Sequence, residues 1–447
     1  MIQLLLSAVL GPLVVSADLP VTTGTQLSYR GSVEARAEEQ DKGHKTFDLT
    51  LWILQKGETG ADVLWLVDER GRGEFPWFER FGRLQVDSLW RTAAAGPALL
   101  YDRGDGRSVV PIALPMLAHD KPLAPDVGFN DGKLDFRVER AAKVADKPSW
   151  KLSGRDALGP KRTVSLDQHS PLVLAMTERV IMGRGEEHQL KLDFVGSEQL
   201  AADQSSALGK LTEKLLALRG KLNQPARTEE ANWKSEQLQL LGEQLPPLFE
   251  LAAGTPLARL HTAAKRDLEL QAGRHDAVAE LGAKFDGHAV GDFSAKGFGD
   301  QELTLSALRG QVTVLHFWDY RDEPLKEPYG QVGYLDFIYH RRKAGGLQVY
   351  GVAVDGRLGD EQTRAAAERS VKKLIAFMNL SYPVLLDSGP LVKQFGDPRL
   401  LGANLPLFVV IGPDQKIIHY HVGHYEVHQD QGLKELDQVV LKALESK

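Results

Sequence analysis

The chain has 447 residues, no cysteine, and 54 basic against 60 acidic side chains, a formal net charge of −6. Without sulfhydryl groups it can build no disulfide, thiolate metal site or thiol nucleophile, and its mild acidity, spread along the sequence, leaves no basic stripe for a nucleic acid. With 43% hydrophobic and 26% charged residues it has the composition of a folded globular protein, long enough for roughly three domains.

Residues Met1 to Ala17 carry no charged side chain, hold an apolar run from Ile2 to Val15 and end in Val15-Ser16-Ala17. This is the pattern of a short secretory signal, although the start lacks the usual Lys or Arg. It predicts export to the periplasm or cell envelope, with a mature chain beginning near Asp18. No later stretch reaches the ~18 consecutive apolar residues of a transmembrane helix.

From residue 24 to 196 the dominant period is two. Phe47, Leu49, Leu51 and Ile53 alternate with polar or outward residues, as do Leu134, Phe136 and Val138, and Leu190, Leu192 and Phe194. Turn signals such as Lys56-Gly57 and Asn130-Asp131-Gly132 separate the runs, so an antiparallel β-rich domain is expected. The tripeptide Arg103-Gly104-Asp105 lies in such a turn, and a hairpin explains it without an adhesion role.

Residues 197–284 change to a helical period. Leu208, Leu211, Leu215, Leu218 and Leu222 are spaced 3, 4, 3 and 4, one apolar helix face. A second helix is expected from Glu229 to about Leu245, ahead of Pro246-Pro247, and a third from near Pro256 to Leu281. The seam is too short for a long coiled coil and suits a helical hairpin packed on a neighbouring domain.

Residues 285–447 alternate strand and helix patterns. Val312 to Phe317 reads as a buried strand, Tyr334, Phe337 and Ile338 as a helix, and Leu347 to Asp355 as a second strand. A helix with Val371, Leu374 and Phe377 follows, then strands at Pro383 to Asp387, Leu405 to Ile411 and Lys416 to His421. The order predicts an α/β sheet covered by helices.

These residues resemble the thioredoxin-like proteins of the TlpA and redoxin (AhpC/TSA-related) type. The matching phrases are Val290 to Phe293, Leu305 to Gly310, Phe317-Trp318, Gly351 to Asp355, Tyr382 to Asp387, and Leu405-Pro406 followed by Phe408 to Ile411. The resemblance implies a thioredoxin-like fold over about a third of the chain, with Pro406 as a cis-proline facing the active site. It would also imply a thiol–disulfide oxidoreductase, but the two cysteine positions of the family's Cys-x-x-Cys hold Asp322 and Leu325 here. Neither can form a mixed disulfide.

Asp322-Glu323-Pro324 reads instead as a helix start, with an acceptor side chain and a proline in the first turn. A helix N-terminus lowers a carboxylate's pKa, away from the range a general acid or base needs. Arg321 beside it would favour an anionic ligand. His419 and His421 share one face of a strand, with His424 and His428 close behind, a weak candidate for a metal site. No phosphate-cradling glycine loop, nucleophile elbow or His-Glu-x-x-His helix is present.

The reading favoured by these residues is an exported, redox-inactive binding or scaffold protein that needs no cofactor. Its protein or peptide partner would meet Trp318, Tyr320, Arg321, Asp322, Glu323, Leu405 and Pro406. The alternatives are a non-thiol or metal-dependent enzyme at the same loop or at the C-terminal histidines, and a function carried by the β-rich domain.

Overall fold

The computed structural model describes residues 21–35, 44–71, 73–103, 106–119, 121–183, 185–224, 226–231, 233–299, 301–320 and 331–446. The segment expected to be a signal, and Gly104 and Asp105 of the turn tripeptide, lie outside them. The chain divides into two compact units, 1–271 and 272–447.

The first unit opens with β1 (Thr25–Ala35), β2 (Lys45–Lys56), β3 (Gly60–Arg70), β4 (Phe81–Asp87), β5 (Ala98–Asp102) and β6 (Arg107–Pro111). It continues with β7 (Gly128–Asn130), β8 (Asp135–Val144), β9 (Lys147–Asp156), β10 (Gly159–Asp167), β11 (Val173–Met182) and β12 (Glu186–Gln199). Ten of these form one antiparallel sheet in the order β4-β3-β2-β1-β12-β11-β10-β9-β8-β7, and β5 and β6 form a separate hairpin. The alternating residues of the sequence line one sheet face, where Leu27, Leu49, Val63, Phe136, Val164 and Leu190 belong to one core. Two strand glycines serve aromatic neighbours: Gly31 lies opposite Phe47 and Gly154 opposite Phe136. A β-carbon on either would fall within 3 Å of the facing ring, so each ring covers the gap its partner leaves.

Strict alternation fails in β2 and β3, where Leu49 to Ile53 and Ala61 to Val67 are buried without interruption. The reason is a second core on the opposite face. Trp52, Leu64, Leu66, Trp77, Phe78 and Phe81 pack there against the helical segment. Strands covered on both faces read as continuous apolar runs.

That segment comprises α1 (Ala202–Lys221), α2 (Ser235–Ala252) and α3 (Arg259–Phe285). All five seam leucines, Leu208 to Leu222, are buried in this second core, so the apolar face is consumed within the unit. The expected end of the second helix is corrected: α2 starts at Ser235 and runs through Pro246 and Pro247. The prolines remove two amide donors, but Leu241, Leu245, Phe249 and Ala252 bury one continuous face across them. Residues 229–231, 233 and 234 lie outside any helix, and Gln271 Nε2 donates to the Ala231 carbonyl at 2.7 Å.

Glu69 and Lys45 pair at 2.8 Å with side chains 0% and 3% exposed. The carboxylate also accepts the amides of Phe75 at 3.1 Å and Leu100 at 3.0 Å. One buried charge thereby ties β2, β3, β5 and the preceding loop together.

The second unit contains β13 (Ser294–Lys296), β14 (Glu302–Thr304), β15 (Val312–Trp318), α4 (Val332–Arg342), β16 (Leu347–Val354) and α5 (Glu361–Met378). After these come β17 (Val384–Asp387), α6 (Pro390–Gln394), β18 (Leu407–Ile411), β19 (Ile417–Val422) and α7 (Lys434–Glu445). The sheet order is β17-β16-β15-β18-β19, with β15, β16 and β17 parallel and β18 and β19 antiparallel. This is the thioredoxin-like arrangement. Every residue of β15 is buried, as a central strand with both faces covered requires. Both expected helices are present, and on them Phe337 and Phe377 are 55% and 64% exposed. Val332, Leu335 and Ile338 of α4, and Val371 and Leu374 of α5, supply the buried faces.

Replacing Glu69 by alanine takes the carboxylate from the buried Lys45 ammonium and the acceptor from two buried amides. The expected loss is about 3–5 kcal/mol, read from urea unfolding followed by tryptophan fluorescence. A loss below about 1 kcal/mol would show that the pair does not organise this region.

Candidate functional site

The antiparallel register of β15 and β18 sets Phe317 opposite Leu407. Trp318, where β15 ends, and Pro406, just before β18, are therefore neighbours on the edge of the sheet formed by its strand ends, between two interior strands. The Leu405–Pro406 peptide bond is cis. The Pro406 carbonyl accepts the Gly423 amide at 2.8 Å, whereas the N–H and C=O of Leu405 make no hydrogen bond among the described residues.

Trp318 is only 2% exposed and belongs to the core with Val314, Val349 and Tyr382. Leu405 and Pro406 are buried too, and Tyr320 is half-buried. The Tyr320 carbonyl accepts from the Ser370 hydroxyl at 3.3 Å, which fixes the chain leaving β15. Arg321, Asp322, Glu323 and Leu325 lie outside the described residues. The structure thus joins Trp318, Tyr320, Leu405 and Pro406 at one edge, with Trp318 as a wall inside the core rather than a surface contact.

The far side of this edge is held by Gln331, which precedes α4 with a left-handed backbone, φ 66°, and is buried. Its Nε2 donates to the Tyr425 carbonyl at 2.7 Å and its Oε1 accepts the Tyr425 amide at 2.9 Å. Tyr425 carries the aromatic cluster behind the proline. Its hydroxyl lies 2.7 Å from His419 Nε2, its ring stacks on His421 with centroids 3.9 Å apart, and it meets Phe408 edge-on at 5.0 Å.

Burial pushes the Tyr425 hydroxyl up, so it stays protonated. Burial likewise lowers the His419 pKa and brings His421 down to about 4. His421 Nε2 is buried without a hydrogen-bond partner among the described residues. The two strand histidines are therefore neutral packing residues around Tyr425. His424 and His428 are exposed, and the His428 backbone closes a turn with Gly432. Among the described residues no three His, Asp or Glu side chains are arranged to hold a metal ion.

Three further carboxylates lie after β16, at the end of β17 and after α6, and the sequence reading passed over them. Asp355, Asp387 and Asp397 are all buried. Asp355 receives Arg357 at Nε and Nη2, at 2.9 and 2.7 Å, and Asp397 receives Arg399 in the same way at 2.8 and 2.7 Å. Asp387 accepts the amides of Gly389, Leu391 and Val392 at the start of α6. The repeated Asp-x-Arg spacing, Asp355-Gly-Arg357 and Asp397-Pro-Arg399, was the available signal. Each carboxylate has its acceptor capacity committed to structure, and Arg399 holds Asp397 below the usual carboxylate range.

Two outcomes follow from this packing. At Gly351 a β-carbon would approach Trp318 Nε1 to 3.1 Å and the Tyr382 ring to 3.0 Å, so Gly351→Ala should cost about 1–3 kcal/mol, read as a lower melting temperature. Acidification acts through His421: its folded pKa of about 4 lies below the ordinary 6.5, so the unfolded state binds the extra proton in between. The stability is whole above pH 6.5 and declines as pH falls towards 4, by up to about tenfold in the unfolding constant per pH unit. Hydrogen exchange of amides in 407–422 should accelerate from pH 7 to pH 5 beyond its intrinsic pH dependence, and His421→Phe should flatten that change.

The comparisons with known proteins bear on the second unit. Residues 287–420 match the AhpC/TSA family, while no curated protein matches the chain. Among solved structures, a putative thiol:disulfide interchange protein DsbE from Chlorobium tepidum is 25% identical, over 36% of this chain and 97% of its own, with a TM-score of 0.27. A putative protein disulfide isomerase from Bacteroides thetaiotaomicron is 18% identical over 36% and 90%, with a TM-score of 0.29. A secreted Mycobacterium tuberculosis disulfide oxidoreductase, homologous to E. coli DsbE, is 16% identical over 34% and 95%, with a TM-score of 0.26. The C-terminal region of this chain is thus a thioredoxin-like redoxin domain that matches the AhpC/TSA family and contains no cysteine.

Proposed function

We propose that the protein is an exported, redox-inactive binding module of the cell envelope whose thioredoxin-like domain receives an extended peptide segment of a partner protein. The observation that carries this reading is the placing of Leu405 and Pro406, just before β18, beside Trp318 at the end of β15, in a chain that has no sulfhydryl. Disulfide exchange needs a thiolate, so the edge is kept without the chemistry. The open N–H and C=O of Leu405 give an extended peptide a place to add backbone hydrogen bonds, a mode whose affinity comes from the main chain. Tyr320 and the Arg321-Asp322-Glu323 stretch would then select side chains. Export rests on the apolar leader Met1 to Ala17, and the mature chain would begin near Asp18.

The test is a crosslinking pull-down from envelope extract with the full chain, wild type against a Tyr320→Ala, Arg321→Ala, Pro406→Ala variant. Capture of a specific protein should fall at least fivefold in the variant, and the purified protein should reduce insulin no faster than buffer. Capture indifferent to the three changes would remove the function from this edge, and measurable reductase turnover would defeat the redox-inactive reading.

A further inference from the structure

The core face of the ten-stranded sheet is not filled throughout. Between β8, β10 and β11 and residues 89–97 and 111–117 lies a cavity of about 460 Å³, within the size range of small-molecule sites. Ile112, Leu117, Phe136, Val164, Val173 and Met176 form its apolar wall.

Its charges are unbalanced. Five lining side chains are cationic and three are carboxylates, although the chain as a whole is acidic. The carboxylates are already engaged. Glu178 holds Arg162 at 2.8 Å and Lys161 at 3.6 Å, two cations on one anion. Asp131 and Asp156 turn to backbone amides of their own loops, Asp131 to Leu134 at 2.7 Å and Asp156 to Leu158 at 2.8 Å.

Two cations of the lining form no ion pair with its carboxylates among the described residues. Lys133 makes no side-chain hydrogen bond or ion pair there, and Arg227 donates only to the Gly96 carbonyl, at 2.8 Å. Arg227 is half-buried and sits on a left-handed backbone, φ 64°. Glu79 offsets part of the Arg227 charge, but the guanidinium spends a single hydrogen bond among the described residues, which leaves its other N–H donors for an anion in the cavity.

We propose that this cavity binds a long-chain carboxylate, with its hydrocarbon chain along the Val164–Val173–Met176 wall and its head on the cationic lining that Lys133 and Arg227 supply. Burial of the chain provides the affinity, and the surplus positive charge selects a carboxylate over a neutral or cationic head. The reading is independent of the peptide edge in the other unit.

The experiment titrates laurate, dodecan-1-ol and dodecyltrimethylammonium into the full chain by calorimetry, with phosphatidylglycerol vesicles in a parallel sedimentation arm. Laurate should bind at least tenfold more tightly than either analogue. Met176→Trp, which fills the cavity, should weaken laurate at least tenfold while circular dichroism stays unchanged. Should that variant fail to fold, the exposed Lys133→Glu is read instead, with a loss of at least threefold expected. No laurate binding, binding that these variants leave unchanged, an analogue binding as tightly as laurate, or vesicle capture without laurate binding would each overturn the proposal.

Discussion

The pairing of β15 with β18 is the constraint on which the C-terminal unit depends. β15 is buried on both faces, so its backbone groups must be satisfied by neighbouring strands, and β16 and β18 provide those ladders. The register then follows. With Phe317 opposite Leu407, the cis Leu405–Pro406 bond is delivered beside Trp318, and the Gln331–Tyr425 exchange closes the same edge from the start of α4. A one-residue slip would turn every side chain of β18 to the wrong face. The edge is therefore as firmly placed as the core strand that carries it, whatever residues occupy the loop between.

The N-terminal unit meets a different difficulty. A ten-stranded sheet has two faces, and only part of each strand can be hidden by its own loops. The helical segment covers one face of β2 and β3 with a core of leucines and tryptophans, while the loops and the β5–β6 hairpin cover the other. Glu69 and Lys45 add a charged tie within that cover. Buried ion pairs contribute little net stability compared with apolar packing, but breaking one leaves an uncompensated charge, so the pair acts as a strict specifier of how the loop residues 73–75 and the hairpin sit.

The chemistry of the thioredoxin-like edge is conspicuous for what its polar groups are doing. Asp355, Asp387 and Asp397 are committed to arginines or to helix amides, and His419 and His421 are packed around Tyr425 in neutral form. Groups so engaged are poor general acids and bases, because releasing a proton would require breaking a structural contact. The apolar cavity of the other unit is the contrasting case, where cationic lining residues outnumber carboxylates.

The sequence by itself determined the class and order of the parts. Period-two runs marked the β-rich region, the Leu208–Leu222 spacing marked a helix, and the phrase order from Val290 to Ile411 marked the thioredoxin-like domain and its proline. Cysteine content alone settled that this chain carries no dithiol chemistry, because composition needs no coordinates. The tertiary structure decided everything that depends on who covers whom. Pro246 and Pro247 lie inside α2 because a continuous buried face outweighs two missing amides. Phe337 and Phe377 point outward because smaller aliphatic residues already fill the layer against the sheet. His419 and His421 are packing residues because Tyr425, four and six positions away and beyond a turn, folds back onto them. Local patterns report what a segment prefers, whereas burial, pairing and charge compensation are properties of the neighbours that folding brings together.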